Sequence, residues 1–398
     1  MPRQVDHALG VTFSRDEASR QGFVTGARRY VLNDLAGHMR TTFDRKVAPS
    51  VKRRTSAKMD DGPAIHKAMK PETMFQFYST LRSTAQEMVW RSVLPGIERE
   101  AQDMANRAVE LGGRPGANDA LVSLDPELKL PRSITELDVH LMPGAYAAET
   151  FDGDVSQGAL YDNGLSVFLM GYLGPAMDDT GRSVSQYLKT RFPDFAPKRM
   201  LDIGATIGFN TLPWQETWPD MVIDATDPCA PNVRYGAARS RAKGRNIHFH
   251  QMLGEDLKFA DNSFDIVWSA MVLHELTAKS VAACMRECYR VLKPGGLMIH
   301  MELPPNSAVP AYEQFYLDWD AYYNKEPWYK KFRDTDLKSL VTGAGFAEKK
   351  FFQYIVPSCH NQGADAVRAA ASAAKSKSGG NVGRLADGIQ WFNFGAWK

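Results

Sequence analysis

Hydrophobic positions change their spacing near residue 198. Before it the pattern is mostly helical or irregular. After it, short apolar runs alternate with amphipathic segments. Residues 71–93, PETMFQFYSTLRSTAQEMVWRSV, predict a long helix opened by Pro71 and Glu72, because a first helical turn has no use for the N–H that proline lacks. A second helix, IEREAQDMANRAVEL, is expected after Pro95-Gly96 and stops at Gly112-Gly113. GGRPGANDA reads as a linker or loop. Residues 131–180 mix Gly, Pro and Asp with short apolar runs and read as ordered but irregular, leading into a helix over 183–190.

From 199 onward the expected strands are RMLDIG (199–204), MVIDATD (221–227), NIHFHQM (246–252), FDIVWSAM (264–271) and GLMIHME (296–302). A helix over about 334–342, the strand EKKFFQYIVPS and a closing strand in GIQWFNFGAWK follow. Between the last two, ADAVRAAASAAKSKSGGNVG reads as helix in its alanine-rich half and flexible loop in the other. Strands alternating with helices imply a parallel sheet covered on both faces. The expected fold is therefore α/β: a doubly wound, mostly parallel seven-stranded sheet with a mainly helical N-terminal extension. Three regions are expected: 1–130, helical; 131–198, irregular and leading into the sheet; and 199–398, the α/β domain, with an aromatic insertion at 311–333.

Composition narrows the classes. The 398 residues leave room for two or three domains, and a net charge of +2 argues against a nucleic-acid or membrane-surface partner. No run approaches the roughly 18 apolar residues of a membrane span. MPRQVDHALGVTF lacks the apolar centre of a secretory signal, and four cysteines are no disulfide framework, so a cytoplasmic location is the default. Cys284 and Cys288 share a helical face with Val281, Met285, Val291 and Leu292, which reads as buried thiols rather than a metal site. The basic run RKVAPSVKRRTSAK (45–58) has no interleaved aromatics and reads as a solvated or locally disordered segment.

The chemistry gathers at LDIGATIG, residues 201–208. A strand that runs into a glycine turn and a helix lets a ligand approach backbone at the carboxyl end of a parallel sheet. The dinucleotide pattern GxGxxG fails, because Thr206 stands between Gly204 and Gly208 and Asn210 and Thr211 lie beyond; GxxxxGK[ST] is absent as well. Asp227 ends the next strand, where its two oxygens suit a ribose diol.

With ATDP, GEDLKF, SFDIVWSAMVLHEL and RVLKPGG following in order, the chain resembles class I S-adenosylmethionine-dependent methyltransferases over roughly 199–303. The resemblance is nearest to the small-molecule enzymes related to quinone-biosynthesis C-methyltransferases. It implies S-adenosyl-L-methionine as cofactor. Its amino-acid end would lie against the backbone of Asp202, Gly204, Ala205, Thr206 and Gly208. The ribose would lie on Asp227 beside Pro228, and the adenine along Leu253, Gly254, Glu255 and Asp256. Ser269 and Ala270 would stand beside the transferred methyl. Two positions depart from the family pattern: Thr206 replaces the usual middle glycine, and Leu253 stands where an adenine-binding acid is common.

Methyl transfer needs an acceptor atom aligned with the C–S bond, and a general base only when the acceptor must lose a proton. His274 and Glu275 in LHEL are the candidate bases. Their other readings are a hydrogen-bonded histidine at a helix start and a solvated first-turn acid. His140 is a further candidate. Tyr161 can face the sulfonium or simply pack in a loop. The aromatic stretch AYEQFYLDWDAYYNKEPWYKKF can grip an apolar acceptor or pack on the N-terminal helices, which themselves can cap the pocket or form a homodimer. SAMV after the fourth strand lacks the [DN]PP[YF] of base-nitrogen methyltransferases, so a small-molecule acceptor is expected and no nucleic acid. A catalytically silent cofactor-binding module and a nicotinamide-dependent oxidoreductase are the alternatives.

Overall fold

The apolar runs form one eight-stranded sheet in the computed structural model, which describes residues 7–54, 58–113, 116, 120–373 and 389–398. Its strands are β1 (Val122–Ser123), β2 (Arg199–Ile203), β3 (Val222–Asp227), β4 (His248–Gln251), β5 (Phe264–Ala270), β6 (Leu292–Glu302), β7 (Phe351–Pro357) and β8 (Gln390–Trp397). They lie in the order β1-β4-β3-β2-β5-β6-β8-β7. Pairings from β1 through β6 are parallel, and β8 runs antiparallel to both β6 and β7. The seven expected strands are thus present, and the count is corrected to eight by the short edge strand β1, which the N-terminal region contributes. β6 also starts earlier than expected: Leu292 already pairs with Phe264, and the register shifts before Ile266 meets Leu297.

Alternation along the strands splits the core. Met200, Ile223, Ala225, Ile266 and Ile299 face one side, and Leu201, Ile203, Val267 and Met298 the other. The second face is closed by the helix Ala278–Val291, whose Cys284, Met285 and Cys288 are fully buried. The first face is closed partly by the N-terminal extension.

There the helices differ from the sequence expectation. Thr73–Gly112 is one 40-residue helix that passes through Pro95 instead of breaking at it. A proline inside a helix costs about 3 kcal/mol. Trp90, Val93, Ile97 and Met104 lie on both sides of it and are all buried, each such side chain contributing about 1.5–3 kcal/mol. Gly96 serves close packing rather than a turn, since a Cβ there would lie 2.6 Å from the Phe13 ring. Residues 156–168, read as irregular, form a helix, and Asp179–Arg191 extends the expected one over 183–190.

Helical segments run without a break from Arg15 to Arg54, with π-turns at Tyr30–Leu35 and Phe43–Val47. The basic run is therefore helical as far as Arg54, with its cationic side chains exposed, and residues 55–57 lie outside the described residues. The second half of the alanine-rich segment also lies outside them. Ala311–Tyr323 packs on this N-terminal layer. Tyr78 stacks on Trp319 with centroids 4.9 Å apart, and Phe75, Phe315 and Tyr312 fill the same cluster. Among the described residues no helix is long and apolar enough to cross a membrane.

Candidate active site

The chain leaves β2 for β3 and β4 on one side of it, and returns to β5 and β6 on the other. A crevice therefore opens between the carboxyl ends of β2 and β5. The turn after β2 forms one lip. Gly204 (φ +68°), Thr206 (φ +51°) and Gly208 (φ +81°) are all left-handed. Gly204 is required twice over, by its φ and because a Cβ would meet the Val272 side chain at 2.7 Å. Thr206 is β-branched in a conformation that costs such a residue about 1–2 kcal/mol.

Hydrogen bonds hold the strained turn. Asp227 Oδ2 accepts from Thr206 N at 3.0 Å, and its Oδ1 accepts from Cys229 N at 2.9 Å and Asn232 Nδ2 at 3.3 Å. Beneath the turn, Thr211 Oγ1 donates to Asp202 Oδ2 at 2.5 Å. Burial raises both carboxyls, Asp202 to about 7 and Asp227 to about 6, against these hydrogen bonds.

The crevice widens into a cavity of about 750 Å³. Asp202, Gly204, Ala205, Thr206, Phe209 and Asn210 line its sheet side, with Ala270, Met271, His274 and Met301 at the β5 and β6 lip. Tyr146, Tyr161, Phe168 and Trp90 form an aromatic wall, and Arg28, Asn33, Arg40 and Arg82 come from the N-terminal helices. Tyr316 and Tyr329 of the aromatic insertion also reach it, while Tyr312, Phe315 and Trp319 pack on the helices instead.

Ion pairs set the charge of the β5–β6 lip. His274 is 3 % exposed on its side chain, and its Nδ1 lies 2.6 Å from Glu302 Oε2. Glu302 Oε1 accepts from the N–H groups of Val272 and Leu273 at 2.9 and 2.6 Å. Burial opposes charge on His274, but the adjacent Glu302 carboxylate holds the imidazolium up to about 9. His140 lies 3.2 Å from Glu275 and 3.0 Å from Glu326, which carry it to about 10 despite burial. Glu275 is thus an ion-pair partner rather than a solvated acid.

The expected site residues separate into two groups. Asp202, Gly204, Ala205, Thr206, Ala270, Tyr161 and His274 share the cavity. Asp227, Pro228, Leu253, Gly254, Glu255 and Asp256 lie outside its walls, at the adjoining ends of β3 and β4. The strand ends β4, β3, β2 and β5 nevertheless stand side by side in that order. Gly208 supports the turn through its N–H to Ala205 O at 2.8 Å. Ser269 is fully buried, with Oγ 2.7 Å from His300 Nδ1, and does not reach the cavity; Met271 and His274 hold that lip instead. Sequence reasoning missed Glu302, Glu326, Arg28 and Arg82. For Glu302 a signal existed: an acid closing the buried strand GLMIHME.

Comparison with known proteins matches residues 201–300 to a family described as a methyltransferase domain. Residues 201–300 are a methyltransferase domain. The sheet around it has the Rossmann-like methyltransferase fold. The chain is 31% identical over 110 residues to the demethylmenaquinone methyltransferase of Thermus thermophilus, covering 28% of this chain and 49% of that protein. It is 34% identical over 125 residues to the ubiquinone/menaquinone biosynthesis C-methyltransferase UbiE of Sinorhizobium fredii, covering 31% and 42%. The chain thus spans about half the length of the curated relatives it matches. Among solved structures it is similar to an O-methyltransferase family protein from Burkholderia thailandensis, at 15% identity and a TM-score of 0.39, over 61% of each chain.

Proposed function

We propose that this chain transfers a methyl group from S-adenosyl-L-methionine to a small-molecule acceptor enclosed between the methyltransferase domain and the N-terminal helices. One observation carries the reading: a single cavity runs from the Gly204–Thr206 turn, past Ala270 and Met271, to the side chains of the N-terminal layer. The residues fit the cofactor. Asp202, Gly204, Ala205, Thr206 and Asn210 border an open volume, and their backbone and side-chain groups include donors and acceptors of the kind an amino-acid end needs. Asp227 and the Leu253–Asp256 segment, at the next two strand ends, would take the ribose and adenine. Bound there, S-adenosylmethionine supplies a methyl group activated by its positive sulfur.

The chain's own residues do the rest. Tyr161 lines the cavity, and its ring would attract the positive sulfur. The regions 1–130 and 131–198 act as a cap, and their aromatic wall excludes water from the crevice. His274, kept protonated by Glu302, donates a hydrogen bond to an acceptor oxygen instead of removing a proton. Alignment and charge stabilisation, not proton abstraction, then dominate the rate.

Calorimetric titration with S-adenosylhomocysteine, followed by transfer of labelled methyl groups to a panel of phenols and enols, tests the reading. One-to-one binding and label in at least one product are expected. Binding without transfer to any acceptor would favour a silent module, and no binding would overturn the proposal.

A further inference from the structure

Among the described residues, the acids and cations around the cavity pair off except Asp202, which accepts from Thr211 Oγ1, and Arg28. Glu302 pairs with His274, Glu326 with His140, and Asp320 with Arg82. Arg40 pairs with Asp44 and Glu313. Arg28 is 1 % exposed, lines the cavity, and among the described residues forms no ion pair. Its Nε donates to Phe168 O at 3.0 Å and its Nη1 to Gln86 Oε1 at 2.7 Å, and its guanidinium stands 4.6 Å from the Phe168 ring centroid. Those partners are neutral. The same Gln86 oxygen also accepts from Arg82 Nη1 at 2.8 Å. Two buried guanidinium groups therefore converge on one amide oxygen, and only Arg82 of the two pairs with a carboxylate, that of Asp320.

A buried charge without an ion-pair partner is costly, and the protein keeps one here at the wall of the cavity. Burial and the neighbouring Arg82 pull Arg28 down to about 9, which still leaves it charged at neutral pH. The chain also changes register immediately after it: the π-turn Tyr30–Leu35 brings Leu32 and Asn33 onto the cavity. Such turns concentrate at functional sites. Asn33 Nδ2 donates to Tyr172 Oη at 2.9 Å, which adds a polar pair to the same wall.

We infer that the acceptor is an anion: a small molecule with an aromatic or apolar body against Trp90 and Phe168, and a carboxylate or similar group seated on Arg28. This rests on the methyl-transfer reading and gives its substrate a chemical class. Guanidinium binds planar oxyanions with charge-assisted hydrogen bonds, and a low-dielectric wall strengthens them. The one other anion the cavity would receive is the cofactor's own carboxylate, so a test must separate the two.

The probe pair is 6-hydroxy-2-naphthoate and 6-hydroxy-2-naphthamide, titrated into the full chain saturated with S-adenosylhomocysteine. The carboxylate is expected to bind at least about tenfold tighter than the amide, the scale of one charge-assisted contact. In Arg28→Met that preference should fall below about twofold, with affinity for S-adenosylhomocysteine unchanged within about twofold. Equal or tighter binding of the amide by the unaltered protein, or no binding of either probe, overturns the inference without needing the variant. Loss of S-adenosylhomocysteine affinity in Arg28→Met, with the probe preference retained, also overturns it and assigns the guanidinium to the cofactor. If the unaltered protein fails to bind S-adenosylhomocysteine, the methyl-transfer reading falls first and the anionic acceptor falls with it.

Discussion

Glu302 at the end of β6 holds His274, in the short helical turn Leu273–Glu275 that follows β5: its Oε2 lies 2.6 Å from the imidazole Nδ1, and its Oε1 takes the two N–H groups just before it. One carboxylate thus fixes both the position and the charge of the histidine at the cavity lip. Glu302→Gln keeps the shape and removes the charge. It is expected to return His274 from about 9 toward the ordinary histidine range and to cost about 2–4 kcal/mol of stability. An imidazole titration followed by NMR checks the first. An unchanged titration would separate Glu302 from the charge of His274.

Stability should fall as the medium turns alkaline. His140 and His274 have folded values of about 10 and about 9, above the unfolded value near 6.5. Between these limits the folded chain binds more protons than the unfolded one. The stabilisation is complete below about pH 6.5 and is lost as pH rises through 9 and 10. Thermal unfolding between pH 6.5 and 10 should therefore show a falling Tm, and a double variant His140→Gln, His274→Gln should flatten the slope. A Tm that rises over this range would contradict the ion-pair assignments.

Asp227 holds the glycine turn through Thr206 N. Asp227→Ala releases that N–H and removes the acid proposed for the ribose. S-adenosylhomocysteine affinity is expected to drop at least tenfold, since a hydrogen bond to a charged group is worth about 1.5–3 kcal/mol. Calorimetry that finds the affinity unchanged would remove Asp227 from the site.

Thr206 occupies a left-handed position that glycine would adopt without strain. Thr206→Gly should relieve strain, offset in part by the entropy that glycine adds to the unfolded chain, for a net gain of up to about 1 kcal/mol. Denaturant unfolding reads this directly. A clear loss of stability would mean that the threonine side chain contributes contacts that outweigh its strain.

The methyltransferase core was legible because buried parallel strands appear as continuous apolar runs, and because LDIGATIG, ATDP and SAMV mark their carboxyl ends. The cap was not. The helix over 156–168 contains Gly158, Asp162, Asn163 and Gly164, which read as breakers. Its glycines instead admit the side chains of Tyr235 and Trp90, at 2.4 and 2.5 Å from where a Cβ would stand. Pro95 reads as a stop, yet tertiary packing carries the helix past it. Arg28 belongs to a largely polar helix, and nothing in its periodicity distinguishes a buried guanidinium from a solvated one. Glu302 and His274 lie 28 positions apart, and only the pairing of β5 with β6 brings them together.

The most direct measurement is a crystal structure grown with S-adenosylhomocysteine. Its homocysteine end should lie against Gly204, Ala205 and Thr206, with the ribose hydroxyls on Asp227 and the sulfur turned toward Ala270 and the cavity. Density for the nucleoside elsewhere, or that turn closed over by side chains with the product bound at another strand end, would contradict the proposed site.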